Sequence, residues 1–524
     1  MSDPTVIDSF RPLAAVTISL VGMILVMVFS ERRRLRIGCI LLAAIGQFLI
    51  VASMIPGAAS GVEYETALGV LVADIDFVLR ADPLGMIYAL VASGLYVVTV
   101  IYAVGYLEAT HSTRRPRFLA ALALSLAAAV GVAFAGNLLI LVLFYEFMTI
   151  GTYPLVAHDQ TQKARRVGYK YVAYVLIGGT AAVLGTVFVF YLAGTVEFVA
   201  GGIPELAAVT QSSLLASVAF ASLIFGFGVK AAIMPLHSWL PSAMVAPTPV
   251  SGLLHAVAVV KSGVFGIGRV ILDVFGPAAA VATGLLTPLA VIAGITILLA
   301  GLLALRQNNL KRRLAYSTIA QLSYIVLGFA ILTPLSVLGG LLHIIAHAAA
   351  KLTLFFCAGA LYAERGLEDI DNMAGVAREM PIVMTGFAIG SFSLAGIPLF
   401  AGFVSKWNLM LGSGTESIPA LVVFFLAGVL SVAYLWPVVY TAFFETPEHH
   451  DTKPLLDGPF GGISLTSNSK SGAVQWTGEQ TRAALLWPTA ITAAVVIAFG
   501  LLADTTSIYE IAMLVIEQSV EGQI

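Results

Sequence analysis

Apolar residues in this chain come in long unbroken runs rather than in alternation. Runs of about 20 residues recur from end to end, which is the length a helix needs to cross a bilayer. The absence of period-two alternation excludes a membrane β-barrel. Fourteen spans are predicted, at 12–30, 37–56, 84–106, 118–135, 137–157, 168–194, 211–236, 243–272, 278–305, 314–332, 335–362, 381–412, 417–444 and 485–503. The segment 57–82 carries Glu63, Glu65, Asp74 and Asp76 and is too polar to span. It is expected to form a short external β-like excursion. The stretch 445–484, rich in Gly, Ser and His, is expected to be a solvated loop. The tail TSIYEIAMLVIEQSV reads equally as an amphipathic tail or as a short extra helix.

Composition agrees with the pattern. Of 524 residues, 59% are hydrophobic and 11% charged, against about 25% charged in a soluble protein. The expected fold class is an all-α polytopic membrane protein. The net charge of −2 names no partner, and nothing suggests nucleic acid. Charge placement says more. Most Lys and Arg follow odd-numbered spans, in clusters at Arg32–Arg34 with Arg36, Arg114 to Arg117, Lys163 to Lys170, and Arg306 to Arg313. Loops after even-numbered spans hold Arg80 and Arg269. By the positive-inside rule the odd loops are cytoplasmic and both termini lie outside. The N-terminal stretch is acidic and lacks a cleavage-site pattern, so its first apolar run is expected to remain as a span. Cys39 and Cys357 lie far apart in apolar runs and read as helix packers.

Four lysines and one glutamate fall well inside the predicted spans, away from their ends: Lys230, Lys261, Lys351, Lys406 and Glu146. A lysine at the centre of a membrane helix costs roughly 2.5–3.5 kcal/mol on insertion scales. A purely structural protein has no reason to carry that cost four times. A lysine in low dielectric can exchange its proton, so the pattern points to proton or cation movement. Glu146, near the middle of span five, must look to these lysines for a partner; the bland reading is a structural ion pair. His343, His347 and Lys351 sit at i, i+4 and i+8 on one helix face and climb ~12 Å along it. Two histidines so spaced could hold zinc, but no acid or cysteine lies near in sequence, so no metal is expected. No cofactor-ligand pattern is present either.

Two spans look broken. In GFGVKAAIMPLHSWLPSAMVAPTPV, Pro235 follows Lys230 by five residues, and His237 lies just beyond. His255 and Lys261 follow in span eight. His237 and His255 also read as ordinary polar packing residues. In SFSLAGIPLFAGFVSKWN, Pro398 interrupts span twelve before Lys406. Breaks at membrane depth persist where protein or a water-filled cavity satisfies the freed carbonyls. Two similar breaks five spans apart predict inverted five-helix repeats, spans 4–8 and 9–13. The expected organisation is 1–117 for spans one to three, 118–273 and 274–444 for the repeats, and 445–524 for the loop, span fourteen and tail.

The stretches VKAAIMPLHSWLPSAMVAPTPVSGLLHA, LAYSTIAQLSYI and HIIAHAAAK resemble the antiporter-like subunits shared by respiratory complex I, membrane-bound hydrogenases and Mrp-type multisubunit cation/proton antiporters. The resemblance covers roughly residues 80–445. It implies a proton path with a Glu146–Lys230 pair, Lys261 as connector, then His343, His347, Lys351 and Lys406. Lys406, where the complex I chain of similar size usually has glutamate, favours the D-type member of the Mrp antiporters, as does a chain that ends shortly after span fourteen. The resemblance further implies a plasma-membrane complex with other membrane subunits, including a larger homologue, that exchanges protons for Na⁺. One acid within the spans is too few for a Na⁺ site, so sodium is expected in a partner or at an interface. The alternatives are a proton-pumping subunit of a redox-driven complex and a membrane subunit of an inorganic-carbon uptake system.

Overall fold

The structure is a computed structural model that describes residues 5–446 and 478–521. The expected solvated loop at 445–484 falls largely outside them. Apart from one small sheet, the described residues are helical. The membrane helices are α1 (Arg11–Val28), α2 (Arg33–Ala52), α3 (Pro83–Ala109), α4 (Arg115–Ala133), α5 (Leu138–Val156), α6 (Gln162–Ala193), α7 (Leu214–Lys230), α8 (Thr248–Val274), α9 (Leu286–Leu305), α10 (Leu310–Ile331) and α11 (Pro334–Arg365). They continue as α12 (Pro381–Ala395), α13 (Ala401–Glu416), α14 (Ile418–Phe444) and α15 (Gly478–Leu502).

Twelve helices among the described residues are long and apolar enough to cross a membrane, or up to 13 if one bent pair counts as a span. The expected count of 14 is therefore not reached by this measure. The reason is physical: spans seven and twelve are broken. Helix α7 ends at Lys230 after 17 residues, and span twelve is split into halves of 15 and 16 residues, α12 and α13. The breaks are not left with bare carbonyls. Trp239 Nε1 donates to Val229 O (2.9 Å) after the first. At the second, Lys406 Nζ donates to Leu394 O and Gly402 N to Ser393 Oγ (3.0 Å). Gly396 closes α12 with φ +87°, a left-handed turn that glycine takes without strain.

Polar caps start many of the helices. Asn137, Thr161, Ser213 and Asn309 each accept from a first-turn amide, and Thr333 with Ser336 forms a reciprocal capping box. Helix pairings recur along the chain. Helices α4 and α5 pack together as α9 and α10 do, and α6 packs on α7 as α11 packs on α13. Helices α8 and α11 lie at the centre, with every residue of their apolar membrane stretches buried. Side chains there cannot reach lipid.

The segment before α3 folds as a three-stranded sheet, β1 (Thr5–Asp8), β2 (Val62–Val72) and β3 (Ile75–Ala81), in the order β1-β2-β3. The strands β2 and β3 are antiparallel with Glu65 opposite Arg80, which form a 2.7 Å ion pair. Participation of Thr5–Asp8 carried no signal in the sequence. The tail forms a helix, α16 (Ser507–Ile516), packed on α3 and α11.

Candidate functional site

Lys230, Lys261, Lys351, His255, His343 and His347 are all 0% exposed, and Lys406 is 5% exposed. Each is placed by a buried helix or by a helix break. Lys230 closes α7, where the chain leaves the helix. Its ammonium donates to Tyr145 O on α5 and lies 3.4 Å from the centre of the Tyr145 ring. Tyr145 in turn donates to Gly226 O (2.9 Å). One residue of α5 thus holds both the end of α7 and its lysine.

Glu146, midway along α5, is half-buried beside the exposed Phe147 and Ile150; it stands within electrostatic reach of Lys230 but makes no direct salt bridge with it. Its Oε1 is buried without a hydrogen-bond partner. Side chains on a helix diverge by about 100° per residue, so Tyr145 and Glu146 cannot both face α7 squarely.

His255 lies in a π-helical turn, Leu253–Val257, inside α8. Both its ring nitrogens lack partners, and its ring packs 5.0 Å from that of Phe355. Such turns widen a helix locally and are frequent at functional sites. Lys261 Nζ is 2.8 Å from His347 Nδ1, which joins α8 to α11. Lys351 donates to Leu314 O (3.0 Å) and Ser317 Oγ (2.7 Å) on α10. His343 contacts Ser405 Oγ (2.8 Å) on α13 and Gln321 Oε1 (3.0 Å) on α10. Lys406 lies 4.6 Å from the centre of the Tyr324 ring, which stacks on His343 at 5.5 Å.

The structure thus joins Lys261 to His347 and gathers Lys351, His343 and Lys406 around α10 and α13. It does not bring His237 into this group. That residue is half-buried beyond the first break, where Lys170 donates to Ser238 O (3.0 Å). Pro235 and Pro398 both lie in the breaks. His343 and His347 do not bond one another, and their ring centres stand 6.0 Å apart.

Several participants escaped the sequence reading. Ser317 and Gln321 stand at i and i+4 on α10, a polar pair in an apolar helix that could have been noticed. A second buried cluster was also missed. Arg269 binds Asp82 (2.5 and 2.7 Å) and Asp273 (2.8 Å). Asp273 is therefore a further acid within a membrane helix, besides Glu146.

Buried lysines and histidines strung along two broken helices and a pair of fully buried ones define an antiporter-like membrane protein. Residues 135–431 match the family described as NADH:quinone oxidoreductase/Mrp antiporter, transmembrane, and the chain belongs to that family. It is 32% identical over 379 residues to the N subunit of NADH-quinone oxidoreductase from Desulforudis audaxviator, covering 70% of this chain and 73% of that one. It is 31% identical over 415 residues to the A/B subunit of a probable K⁺/H⁺ antiporter from Rhizobium meliloti, covering 76% of this chain but 40% of that relative's length. Among solved structures, the Mrp complex from Dietzia sp. DQ12-45-1b contains a chain that superposes with a TM-score of 0.83 at 21% identity, over 97% of each chain. That likeness shows a shared fold.

Proposed function

We propose that this chain is the proton-translocating subunit of a multisubunit monovalent cation/proton antiporter, and a transporter component rather than an enzyme. The observation that carries the reading is the set of fully buried, titratable side chains from Lys230 through Lys261, His347, Lys351 and His343 to Lys406. Burying that many ionisable groups in a membrane protein is costly and has a use where protons move. Glu146, half-buried midway along α5, would take up or release the proton that Lys230 exchanges. His255, in its widened turn and packed against Phe355 of α11, would pass the proton from Lys230 towards Lys261. His237 lies on the approach to the first break. Lys406 would pass the proton to the far side. The recurring helix pairings support two inverted five-helix units, 118–273 and 274–444, each with its broken helix.

Na⁺ is the favoured counter-ion, bound in a partner or at an interface, because acids are scarce within the spans. The partners would be other membrane subunits, including a larger homologue, in the plasma membrane, with both termini outside. Lys406 favours the D-type member of an Mrp antiporter. A second reading is supported by the similarity to the N subunit of NADH-quinone oxidoreductase: a proton-pumping component of a redox-driven complex.

The test has two parts. The tagged chain is purified in mild detergent with everything bound to it. A larger homologue and several small membrane proteins are expected; iron–sulfur or flavin proteins would favour the second reading instead. The complex with Lys230→Ala is then reconstituted in vesicles and its proton flux measured. Assembly is expected to persist while coupled transport is lost, and wild-type transport by this variant would sink the proposal.

A further inference from the structure

The hydrogen bonds around His343 determine which of its nitrogens is basic. Start from Lys351, whose ammonium can only donate, here to Ser317 Oγ at 2.7 Å. Ser317 then gives its own proton to Tyr434 OH at 2.9 Å, and Tyr434 gives its proton to Ser431 Oγ at 3.2 Å. The nearest acceptor for the single proton of Ser431 is Ala427 O, at 2.8 Å. Its oxygen is left to accept, and the Gln321 amide nitrogen lies 3.3 Å away. That turns the Gln321 amide oxygen to His343 Nε2 at 3.0 Å, where it needs a donor. The other end agrees. Ser405 Oγ is closer to His343 Nδ1 (2.8 Å) than to Gly402 O (3.1 Å), so its proton points at the ring.

We infer that Gln321, braced by Ser431 and Tyr434, is a positioning residue that holds neutral His343 as the Nε2–H tautomer, so that His343 exchanges its proton only at Nδ1, through the Ser405 hydroxyl. An amide oxygen accepts a hydrogen bond but does not carry a proton onward, so the Nε2 side is closed. When imidazolium releases its proton, the Nδ1–H bond breaks and an O–H bond forms on Ser405. Ser405's former proton leaves on the α13 side, to a water or to Lys406 once its amine is neutral and its side chain has swung off Leu394 O, and the imidazole keeps Nε2–H against Gln321. His343 therefore serves the α13 side, while His347 serves Lys261. The simple climb along one face of α11 is replaced by two separate segments. This inference rests on the proton-transport reading for its purpose, but not for its geometry.

The test uses the intact complex in lipid, labelled with ¹⁵N-histidine. The His343 ring signals are assigned by their loss in His343→Asn. Neutral His343 is expected to carry its proton on Nε2 in the wild type and in Gln321→Glu, which keeps the acceptor. In Gln321→Leu the proton should redistribute towards Nδ1. If that variant does not assemble, Ser431→Ala removes the hydroxyl that accepts from the Gln321 amide nitrogen, and the same redistribution is expected. Ser405→Ala should lower proton flux about a hundredfold, and Ser405→Thr should restore most of it. Nδ1–H in the wild type, an unchanged tautomer in both Gln321→Leu and Ser431→Ala, or wild-type flux in Ser405→Ala would overturn the inference. The tautomer readout needs no transport, so its failure is distinct from failure of the functional proposal.

Discussion

At the scale of the residue, burial decides what a charged group does here, and one group outside the membrane makes this measurable. Glu63 on β2 is 8% exposed. Burial pushes its carboxyl up to about 7; Asp82 adds to the rise, while Arg80 and Arg269 oppose it. The folded protein holds this proton to a higher pH than the unfolded chain does. Its contribution to stability is thus fully present below the ordinary carboxylate range and is lost as pH rises towards 7. Protection factors for hydrogen exchange at β2 and β3, with the intrinsic pH dependence of exchange divided out, should accordingly be higher at pH 5 than at pH 8. Glu63→Gln should flatten that dependence, and an unchanged pH profile in the variant would refute it. The lysines were legible for a related reason, since a charge within an apolar run stands out. Their partners were not. Lys230 binds a backbone carbonyl and a ring on α5, and neither carries a charge to mark it.

At the scale of the element, close approach between helices sets the geometry that the lysines use. Gly226 on α7 faces α6 so closely that an added Cβ would lie 2.7 Å from both Gly178 O and Ala182 N. Backbone cannot yield as a flexible side chain can. Gly226→Val should force α6 and α7 apart, disturb the Tyr145–Gly226 bond that anchors the break, and cost about 1–3 kcal/mol. A lowered melting temperature of the purified protein would show this; an unchanged one would contradict the packing. Both breaks were legible as prolines beside lysines, because proline cannot continue a helix. Where α7 stops, and that Trp239 and Lys406 satisfy freed carbonyls, depended on side chains that meet only after folding.

At the scale of the molecule, Arg269 ties distant segments together. Its guanidinium binds Asp82 at the start of α3 and Asp273 at the end of α8. It also contacts the Phe198 and Phe265 rings at 4.8 and 5.0 Å. Removing one member of a buried charge network leaves the others uncompensated. Arg269→Met should therefore destabilise the protein by about 3–5 kcal/mol, read as a fall in melting temperature. Adding Asp82→Asn and Asp273→Asn should recover part of the loss. A melting temperature unaffected by Arg269→Met would rule out this anchoring role.

The sequence alone determined that the chain is helical and crosses a membrane many times, because transfer of apolar runs into lipid is set by local composition. It also determined most of the ionisable residues that lie within the spans, though not Arg269 and Asp273 at the end of α8, and where the helices break, since charge and proline act locally. Only the tertiary structure decided which of those groups meet. Glu146 is half-buried and stands within electrostatic reach of Lys230 without a direct salt bridge, Lys261 joins His347, and His343 turns to Gln321 and Ser405. Hydrogen bonds are directional and short, so such choices depend on helix rotation and on contacts between residues 22 to 86 positions apart.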